Sequence, residues 1–592
     1  MSKQLLIWGF LLGLLSCQSQ NNESTKAIKN ESLGFDNGLE YVKLGEIQAQ
    51  GWLKAQMERD LVRGFVGTLD TLCPDLILND DIYGDDRLTK EVKDKDVGRL
   101  HHNSELDIHV LWWNSETQSN WRDGWIRHAI LTRNEEALEK VAAYVKAKLA
   151  TQDEDGYLGI YANDLRYQHP TENGELWAQS SLLRGLLAYY EYTQDTQLLM
   201  AIEKAVLKTM QAYPIQNSQP FKVDKDWGGL GHGLTFTDVL DRLYQITGKK
   251  EYRDYALFLF EDYNRHPIRE EDIHIKNVLN PDYRFKGHGV HTYEHLRSLT
   301  MAAYYSDDQK YQDGLEAYLE KLSPLITPSG APIGDEWING RRAIPDSIGY
   351  EYCSLQELLD AYGLLLQKSG DAHWANRMEW LLFNAAQGAR HPQESAIAYC
   401  KTDNSYQMMG HLFPDQPQNE PRYKYSPVHQ DIAVCCIPNA GRIYPYYIRS
   451  MWMKSERGLV ANLFGPAELE TQVNGKGIKI KQETLYPFDF NVTFRLELAS
   501  ENEFELAIRK PDWVQGLMIK TDAQIREDAH YYYLQKVWKN EDVIELSLKA
   551  EVDIREERSG QKYVTYGPLL FALAMESEAQ ETKRFAKANF RD

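Results

Sequence analysis

A short phrase that recurs in the first two thirds of the chain constrains the fold more than any other feature. The phrase pairs apolar and aromatic residues with a polar link, in copies that begin at Tyr189, Leu243 and Tyr304. Each copy ends one amphipathic segment and introduces the next, and a period of roughly 55–60 residues is typical of a repeated helical hairpin. Further pairs follow at 352–367 and 372–386. Because successive hairpins bury their apolar faces by closing into a ring, we predict an (α/α) helical barrel.

The spacing of apolar residues changes from helical to alternating after about residue 451. Val492, Phe494 and Leu496 alternate with polar residues, and a period of two is typical of half-buried strands. The sequence therefore predicts a helical barrel over residues 35–450, followed by an antiparallel β-sandwich over residues 451–592.

The first residues predict export and lipid attachment. Residues 1–16 contain Lys3 and then an apolar run too short to cross a bilayer as a permanent helix. The small residue before Cys17 matches a bacterial lipoprotein box, and residues 17–34 are polar, as a solvated tether would be. We predict a signal peptide over 1–16, lipidation at Cys17 and anchoring in the bacterial cell envelope. An ordinary secretory signal followed by a chance cysteine is the alternative.

The charge balance excludes one class of partner. The 592 residues include 66 Lys and Arg against 87 Asp and Glu, which gives a formal net charge of -21. Nucleic-acid binding requires clustered Lys and Arg that displace counterions from phosphates, so we expect no nucleic-acid partner. A neutral ligand such as a sugar is unaffected by this charge. No feature of the sequence indicates an oligomeric state.

Two short motifs contain the residues best suited to metal binding. Glu351 and Cys353 form a Glu-x-Cys motif, and Cys435 and Cys436 are adjacent. Three soft thiolates and one carboxylate suit tetrahedral zinc better than magnesium or calcium. We therefore predict one zinc site made by these four residues. Two other readings of the motif residues remain open at this point, namely inert core thiols and a strained disulfide between the adjacent cysteines.

The same motifs carry a family resemblance. Glu-x-Cys, followed roughly eighty residues later by Cys-Cys-x-Pro-Asn, resembles the hallmark of the β-L-arabinofuranosidase family of glycoside hydrolases, family 127 and its relatives. The resemblance covers most of residues 51–576 and implies an (α/α)6 barrel as the catalytic domain. It further implies that Cys435 is the nucleophile and that Glu351, Cys353 and Cys436 complete the zinc shell.

A glycosidase also needs an acid/base, and the Gly-Asp-Glu-Trp segment that contains Asp335 and Glu336 is the candidate. This segment precedes Glu351 at nearly the family's spacing for its acid/base glutamate. Spacing alone selects Asp335, but the matching family residue is a glutamate, so we predict that Glu336 is the acid/base. The alternative is that both side chains are solvated loop acids.

Two histidines are predicted to bind sugar hydroxyls. His232 and His288 each follow a glycine, at barrel positions where the resemblance implies sugar-contacting histidines. One departure concerns the substrate, since this chain has Ser180 and Ser181 where relatives often have Gly-His. The loss of an imidazole there puts the identity of the sugar in doubt and leaves the metal motif intact.

These observations predict a zinc-thiolate retaining glycoside hydrolase. The resemblance implies release of terminal β-L-arabinofuranose, or a related furanoside, from plant polysaccharides or glycoprotein oligosaccharides. A relative that hydrolyses another pectin side-chain sugar is one alternative, and a non-catalytic glycan-binding lipoprotein with structural zinc is another. A closed zinc site would favour the binding protein, whereas Glu336 across a pocket from Cys435 would favour the enzyme.

Overall fold

The computed structural model describes residues 38–89, 112–168, 174–224, 228–404, 422–429 and 435–584. The predicted signal peptide 1–16, the lipidation residue Cys17 and the tether 17–34 lie outside these residues. Among the helices of the described ranges, none has both the length and the apolar character needed to cross a bilayer.

Helices make up most of the chain before residue 450. In chain order they are α1 Gly51–Arg63, α2 Phe65–Leu72, α3 Pro74–Ile77, α4 Trp113–Thr132, α5 Glu135–Ala150, α6 Glu175–Thr193, α7 Thr196–Ala212, α8 Gly228–His232, α9 Phe236–Thr247, α10 Lys250–Arg265, α11 Ile275–Val278, α12 Gly289–Tyr305, α13 Gln309–Leu322, α14 Tyr352–Ser369, α15 Ala372–Trp380 and α16 Cys436–Arg449. Short 3-10 turns at Gly233–Thr235 and Ser323–Leu325 and a π-helical segment at Leu381–Ala386 continue α8, α13 and α15.

Six helices form a closed inner ring. Helices α4, α6, α9, α12, α14 and α16 each pack against the next, and α16 packs back against α4. Most residues of α4, α12 and α14 are buried, whereas outer helices such as α7 and α13 bury one apolar stripe. This arrangement confirms the predicted (α/α)6 barrel.

The recurring sequence phrase corresponds to the links between inner and outer helices. Gln194 and Gly248 end their helices in the left-handed conformation, in which a C-terminal residue satisfies the last carbonyl groups. Asp195 and Asp308 begin the following helices by accepting hydrogen bonds from backbone N–H groups of the first turn. The polar link therefore stops one helix and starts the next, which explains its regular return.

The strands, in chain order, are β1 Glu40–Tyr41, β2 Ile47–Ala49, β3 Tyr350–Glu351, β4 Ile397–Ala398, β5 Cys400–Lys401, β6 Tyr425–Ser426, β7 Trp452–Ser455, β8 Gly458–Ala461, β9 Ala467–Val473, β10 Lys476–Thr484, β11 Asn491–Leu498, β12 Asn502–Arg509, β13 Gly516–Lys520, β14 Gln524–Glu527, β15 Tyr531–Trp538, β16 Val543–Lys549, β17 Val552–Glu556, β18 Lys562–Tyr566 and β19 Leu569–Phe571.

Two six-stranded sheets form the β domain that follows the barrel. Their orders are β1-β7-β8-β12-β15-β14 and β13-β16-β11-β10-β9-β2, and their strands are antiparallel except for the β8–β12 pair. Val492, Phe494 and Leu496 are buried, as the alternation predicts, so this part of the predicted fold class is confirmed. Strands β1 and β2 precede the barrel in sequence but extend these sheets, which ties the start of the described chain to the β domain.

The segments that immediately precede three of the inner helices gather at one end of the barrel. Strand β3 leads directly into α14, and β5 pairs with β3 through Glu351 and Cys400. Cys435 immediately precedes α16, and His288 immediately precedes α12. Because α12, α14 and α16 are consecutive members of the inner ring, the residues at their N-termini come together in space.

Candidate functional site

The four residues of the predicted metal motif lie in contact with one another. One ligand atom from each of Glu351, Cys353, Cys435 and Cys436 lies within 4.8 Å of those of the others. The Sγ atoms of Cys353 and Cys436 are 3.1 Å apart, and Glu351 Oε1 lies 3.5 Å from Cys436 Sγ. None of these cysteines forms a disulfide. This sulfur cluster, as we call these four residues, could hold a metal ion.

The chemistry of the sulfur cluster fits a cation. Glu351 Oε2 is buried and has no hydrogen-bond partner. Burial raises the pKa of Glu351, Cys353 and Cys436 well above ordinary values, while the thiols of Cys353 and Cys436 lower the pKa of Cys435. A buried carboxylate oxygen without a partner is costly, and a divalent ion with a preference for sulfur would satisfy all four groups.

Glu336 faces this cluster. Its carboxylate accepts hydrogen bonds from His288 Nε2 at 2.9 Å and from the Tyr399 hydroxyl at 2.9 Å, and it also contacts Arg422 Nη1. Its backbone φ of 97° lies in the left-handed region, which non-glycine residues rarely adopt. The few residues with such a strained backbone cluster at functional sites. The loop therefore holds the Glu336 side chain in a defined place beside the cluster.

The neighbouring acid, Asp335, has other partners. Its carboxylate accepts hydrogen bonds from Arg341 Nη2 at 2.7 Å and from the Tyr423 hydroxyl at 2.8 Å. Both carboxylate oxygens of Asp335 are therefore paired with these residues, and the contacts fix the loop. Spacing alone selects Asp335, but Glu336 is the loop acid that approaches the sulfur cluster.

Tyr399 links the two halves of the site, and sequence reasoning missed it. Its hydroxyl lies 2.9 Å from Glu336 Oε1 and 3.2 Å from Cys435 Sγ, so these two atoms are within about 6 Å of each other. Tyr399 stands between β4 and β5, and its carbonyl accepts a hydrogen bond from Tyr352 N at 2.9 Å. Only the pairing of β5 with β3 brings it to the cluster, so no local sequence signal could have identified it.

A second group of ligand-type side chains lies beside the first. His232, His291 and Glu294, called here the imidazole cluster, also have ligand atoms within 4.8 Å of one another. His232 Nδ1 lies 2.7 Å from Glu294 Oε1, and its ring stacks on Trp177 with 3.8 Å between centroids. Burial lowers the pKa of His232 to about 3 and that of His291 to about 4. Both imidazoles are therefore neutral near pH 7.

The predicted sugar contacts occupy two different settings. His288 bonds Glu336 and also lies 3.7 Å from Glu351, so it belongs to the site itself. His232 belongs to the imidazole cluster, and Glu294 and Trp177, which hold it, carried no sequence signal.

The serines that replace the expected Gly-His are used within the helix ring. Ser180 Oγ donates to the Thr235 carbonyl at 2.9 Å, and Ser181 Oγ donates to the Trp177 carbonyl at 3.0 Å. Both are fully buried. Their hydroxyls therefore support helix packing and do not take over the hydrogen bonding of the missing imidazole.

Comparison with known proteins gives a consistent result. The family model described as the GH127 catalytic domain of β-L-arabinofuranosidase matches residues 113–449, and the GH127 middle-domain model matches residues 458–550. The structure resembles Ara127N-Se, a GH127 β-L-arabinofuranosidase from Geobacillus stearothermophilus T6, with a TM-score of 0.69 and 17% identity over 88% of this chain and 86% of that one.

Two further solved structures are similar. A GH127 β-arabinofuranosidase has a TM-score of 0.67 and 16% identity over 91% of this chain and 85% of its own, and a protein described only as a glycoside hydrolase has a TM-score of 0.66 and 17% identity over 90% and 83%. At these identities the likeness concerns the fold. A search among curated proteins finds no match.

Proposed function

Because the chain belongs to the GH127 β-L-arabinofuranosidase family and is a glycoside hydrolase, we propose that it retains anomeric configuration and releases terminal β-L-arabinofuranose, or a related furanoside, from plant-type glycans. Cys435 is the nucleophile in this proposal, and Glu336 is the acid/base.

One observation carries the proposal. The Tyr399 hydroxyl contacts both Glu336 Oε1 and Cys435 Sγ, so a carboxylate and a sulfur face each other within about 6 Å. Retaining glycosidases place their two carboxyl groups about 5–5.5 Å apart, because one attacks the anomeric carbon while the other protonates the leaving oxygen. A sulfur in place of the second carboxylate fits this separation.

Zinc is the proposed metal. Glu351, Cys353, Cys435 and Cys436 would hold it, and three thiols with one carboxylate are a donor set that zinc prefers. When bound, zinc would keep the thiols deprotonated near neutral pH and fix their direction. The buried Glu351 Oε2 that has no hydrogen-bond partner supports this assignment.

The residues divide the work in two displacements. In the first, the Cys435 sulfur bonds to the anomeric carbon, the glycosidic C–O bond breaks, and Glu336 gives its proton to the leaving oxygen. In the second, Glu336 takes a proton from water, the water oxygen bonds to the anomeric carbon, and the C–S bond breaks. His288 orients Glu336 through their hydrogen bond, and His232 is proposed to bind a sugar hydroxyl.

A second candidate substrate has one observation in its favour. Ser180 and Ser181 offer no replacement for the missing imidazole, which favours a sugar with a different hydroxyl pattern, such as another pectin side-chain sugar.

We also propose, from the N-terminal sequence, that the enzyme is exported and anchored through a lipid on Cys17.

Proton NMR of the first product tests the proposal. The full chain is incubated with 4-nitrophenyl β-L-arabinofuranoside, its α anomer and a panel of other furanosides, including acidic ones, with Cys435→Ser as the inactive control. We expect the β-L-arabinofuranoside to be hydrolysed with retention. Inversion, or full activity of Cys435→Ser, would exclude a cysteine nucleophile, and hydrolysis of another sugar alone would establish the second candidate.

A further inference from the structure

Tyr399 has one hydroxyl proton and two acceptors within reach of it. The oxygen lies 2.9 Å from Glu336 Oε1 and 3.2 Å from Cys435 Sγ. A single O–H group donates one strong hydrogen bond at a time. The hydroxyl therefore serves either the carboxylate or the sulfur, and rotation about its own C–O bond is enough to change from one to the other.

The surroundings keep the hydroxyl oxygen in place while its proton turns. Tyr399 is 5% exposed, and its carbonyl accepts a hydrogen bond from Tyr352 N. The guanidinium of Arg422 lies over its ring at 4.7 Å from the centroid. The ring is packed on its face and the backbone is paired, so the side chain keeps its position. The hydroxyl therefore stays within reach of both Glu336 and Cys435 and changes its acceptor by turning its proton alone.

The proposed two-displacement reaction, on which this inference rests, moves negative charge between the same two acceptors. In the first displacement Glu336 loses its proton to the leaving oxygen and becomes a carboxylate, while the sulfur becomes part of a neutral thioether. In the second displacement Glu336 takes a proton from water and becomes neutral, while the departing sulfur of Cys435 recovers its electron pair. The charge thus develops on Glu336 in one step and on Cys435 in the other.

We propose that Tyr399 is a catalytic residue whose hydroxyl turns its hydrogen bond toward Glu336 in the first displacement and toward Cys435 in the second. A donor aimed at the atom where charge develops lowers the barrier, because it stabilises the transition state more than the ground state. One fixed hydroxyl between the two groups supplies this stabilisation in both steps. The phenol keeps its own proton throughout.

Azide separates the two roles of the hydroxyl. In Glu336→Gln the first displacement still occurs with 2,4-dinitrophenyl β-L-arabinofuranoside, because this leaving group needs no protonation. Azide then attacks the glycosyl-cysteine without a general base. The rate of azide-dependent release therefore depends on the departure of the Cys435 sulfur and no longer on Glu336.

The experiment compares Glu336→Gln with Glu336→Gln/Tyr399→Phe in the full chain. We expect azide-dependent release to be about tenfold slower in the double variant, the usual effect of one hydrogen bond to a charged group. The glycosyl adduct on Cys435 should accumulate in mass spectra, with an equal burst of dinitrophenol in both proteins. The control is Tyr362→Phe in the same background, since the Tyr362 ring packs on Trp374 away from the site, and it should match Glu336→Gln.

Equal azide-dependent rates in the two proteins would overturn the inference, because Tyr399 would then serve Glu336 alone. A smaller dinitrophenol burst in the double variant would reveal a damaged site. In that case Glu336→Gln is compared with Glu336→Gln/Tyr399→3,5-difluorotyrosine, which keeps both the ring and the hydroxyl. Its stronger donor should speed azide-dependent release, and an unchanged rate would also overturn the inference. Inversion by the wild-type enzyme would instead remove the proposed function itself, so the two failures are distinguishable.

Discussion

The sulfur cluster and the imidazole cluster sit side by side at one end of the barrel, and both bring ligand atoms within 4.8 Å of one another. They differ in how their members are already paired. In the imidazole cluster, His232 is bonded to Glu294 and stacked on Trp177. In the sulfur cluster, the closest contact joins two thiols, and a buried oxygen of Glu351 has no hydrogen-bond partner.

This difference teaches that proximity alone does not define a metal site. His291 also has ring nitrogens without a hydrogen bond, although Nδ1 lies 3.4 Å from Glu270 Oε1. Each imidazole of that cluster thus has a carboxylate beside it, as Glu351 has His288 Nε2 at 3.7 Å. The sulfur cluster differs in its donor atoms, because three sulfurs and a buried carboxylate oxygen without a hydrogen bond suit a cation that prefers sulfur. We expect metal in the sulfur cluster and a structural or sugar-binding role for the imidazole cluster.

Removing one sulfur should have the largest effect. Cys436→Ala deletes a proposed metal ligand, so we expect the metal content to fall from about one ion per chain towards zero. Activity should fall by more than about 10²-fold, since changing even an outer partner of a ligand costs 10–100-fold. Elemental analysis and kcat/KM measure both. His291→Ala is the matched control and should keep its metal, and loss of an ion from His291→Ala would refute the contrast between the clusters.

Changing the group that faces the sulfur should leave the metal in place. Glu336→Gln is expected to keep its metal and to lose roughly 10²-fold or more in kcat, because the amide neither donates the proton nor accepts one from water. The loss should be greatest for poor leaving groups, measured with a series of aryl glycosides. Asp335→Asn is the matched control, and a larger loss in that variant would transfer the acid/base role to Asp335.

Asp123 is a buried carboxylate that, unlike Glu351, is paired with two arginines. Burial alone would raise the pKa of Asp123, but the charges of Arg127 and Arg442 outweigh it and lower the pKa to about 2. The contribution of the Asp123 charge to the free energy of unfolding is therefore complete above the ordinary aspartate pKa of about 4 and is lost as pH falls towards 2. Asp123→Asn should destabilise the protein by about 2–3 kcal/mol at pH 7.

Thermal unfolding of wild type and Asp123→Asn at several pH values tests this linkage. The difference between their midpoints should be large at pH 7 and should shrink between about pH 4 and pH 2. A difference that does not change with pH would show that Asp123 acts through packing and not through its charge.

The smallest expected effect concerns the imidazole cluster. Glu294→Leu removes the partner of His232 Nδ1 and should raise KM by about tenfold with a smaller change in kcat, as the loss of one orienting hydrogen bond would. Glu294→Gln keeps a polar partner for the ring and should restore most of the affinity. If both variants lose kcat and leave KM unchanged, His232 takes part in the chemistry and not in binding.

Local patterns determined a large part of this protein. The helical-hairpin phrase predicted the barrel because the cap residues that stop and start each helix lie within a few positions of one another. Alternation at Val492, Phe494 and Leu496 predicted the strands for the same reason. Glu351, Cys353, Cys435 and Cys436 could be selected as one ligand set because soft donors are scarce in this chain and are chemically distinctive.

Only the tertiary structure decided the rest of the site. The sequence motif predicted Glu336 from the family resemblance, although spacing alone selects Asp335, and the structure shows the physical reason that Glu336 lies beside the sulfur: a loop with a left-handed backbone turns its side chain towards the cluster. Tyr399 is one of 36 tyrosines, and it reaches the site because β5 pairs with β3. Pairing between segments that are distant in sequence depends on the closure of the whole barrel, so the sequence motifs indicate the candidate acid and the candidate sulfur, and only the fold shows the hydroxyl between them.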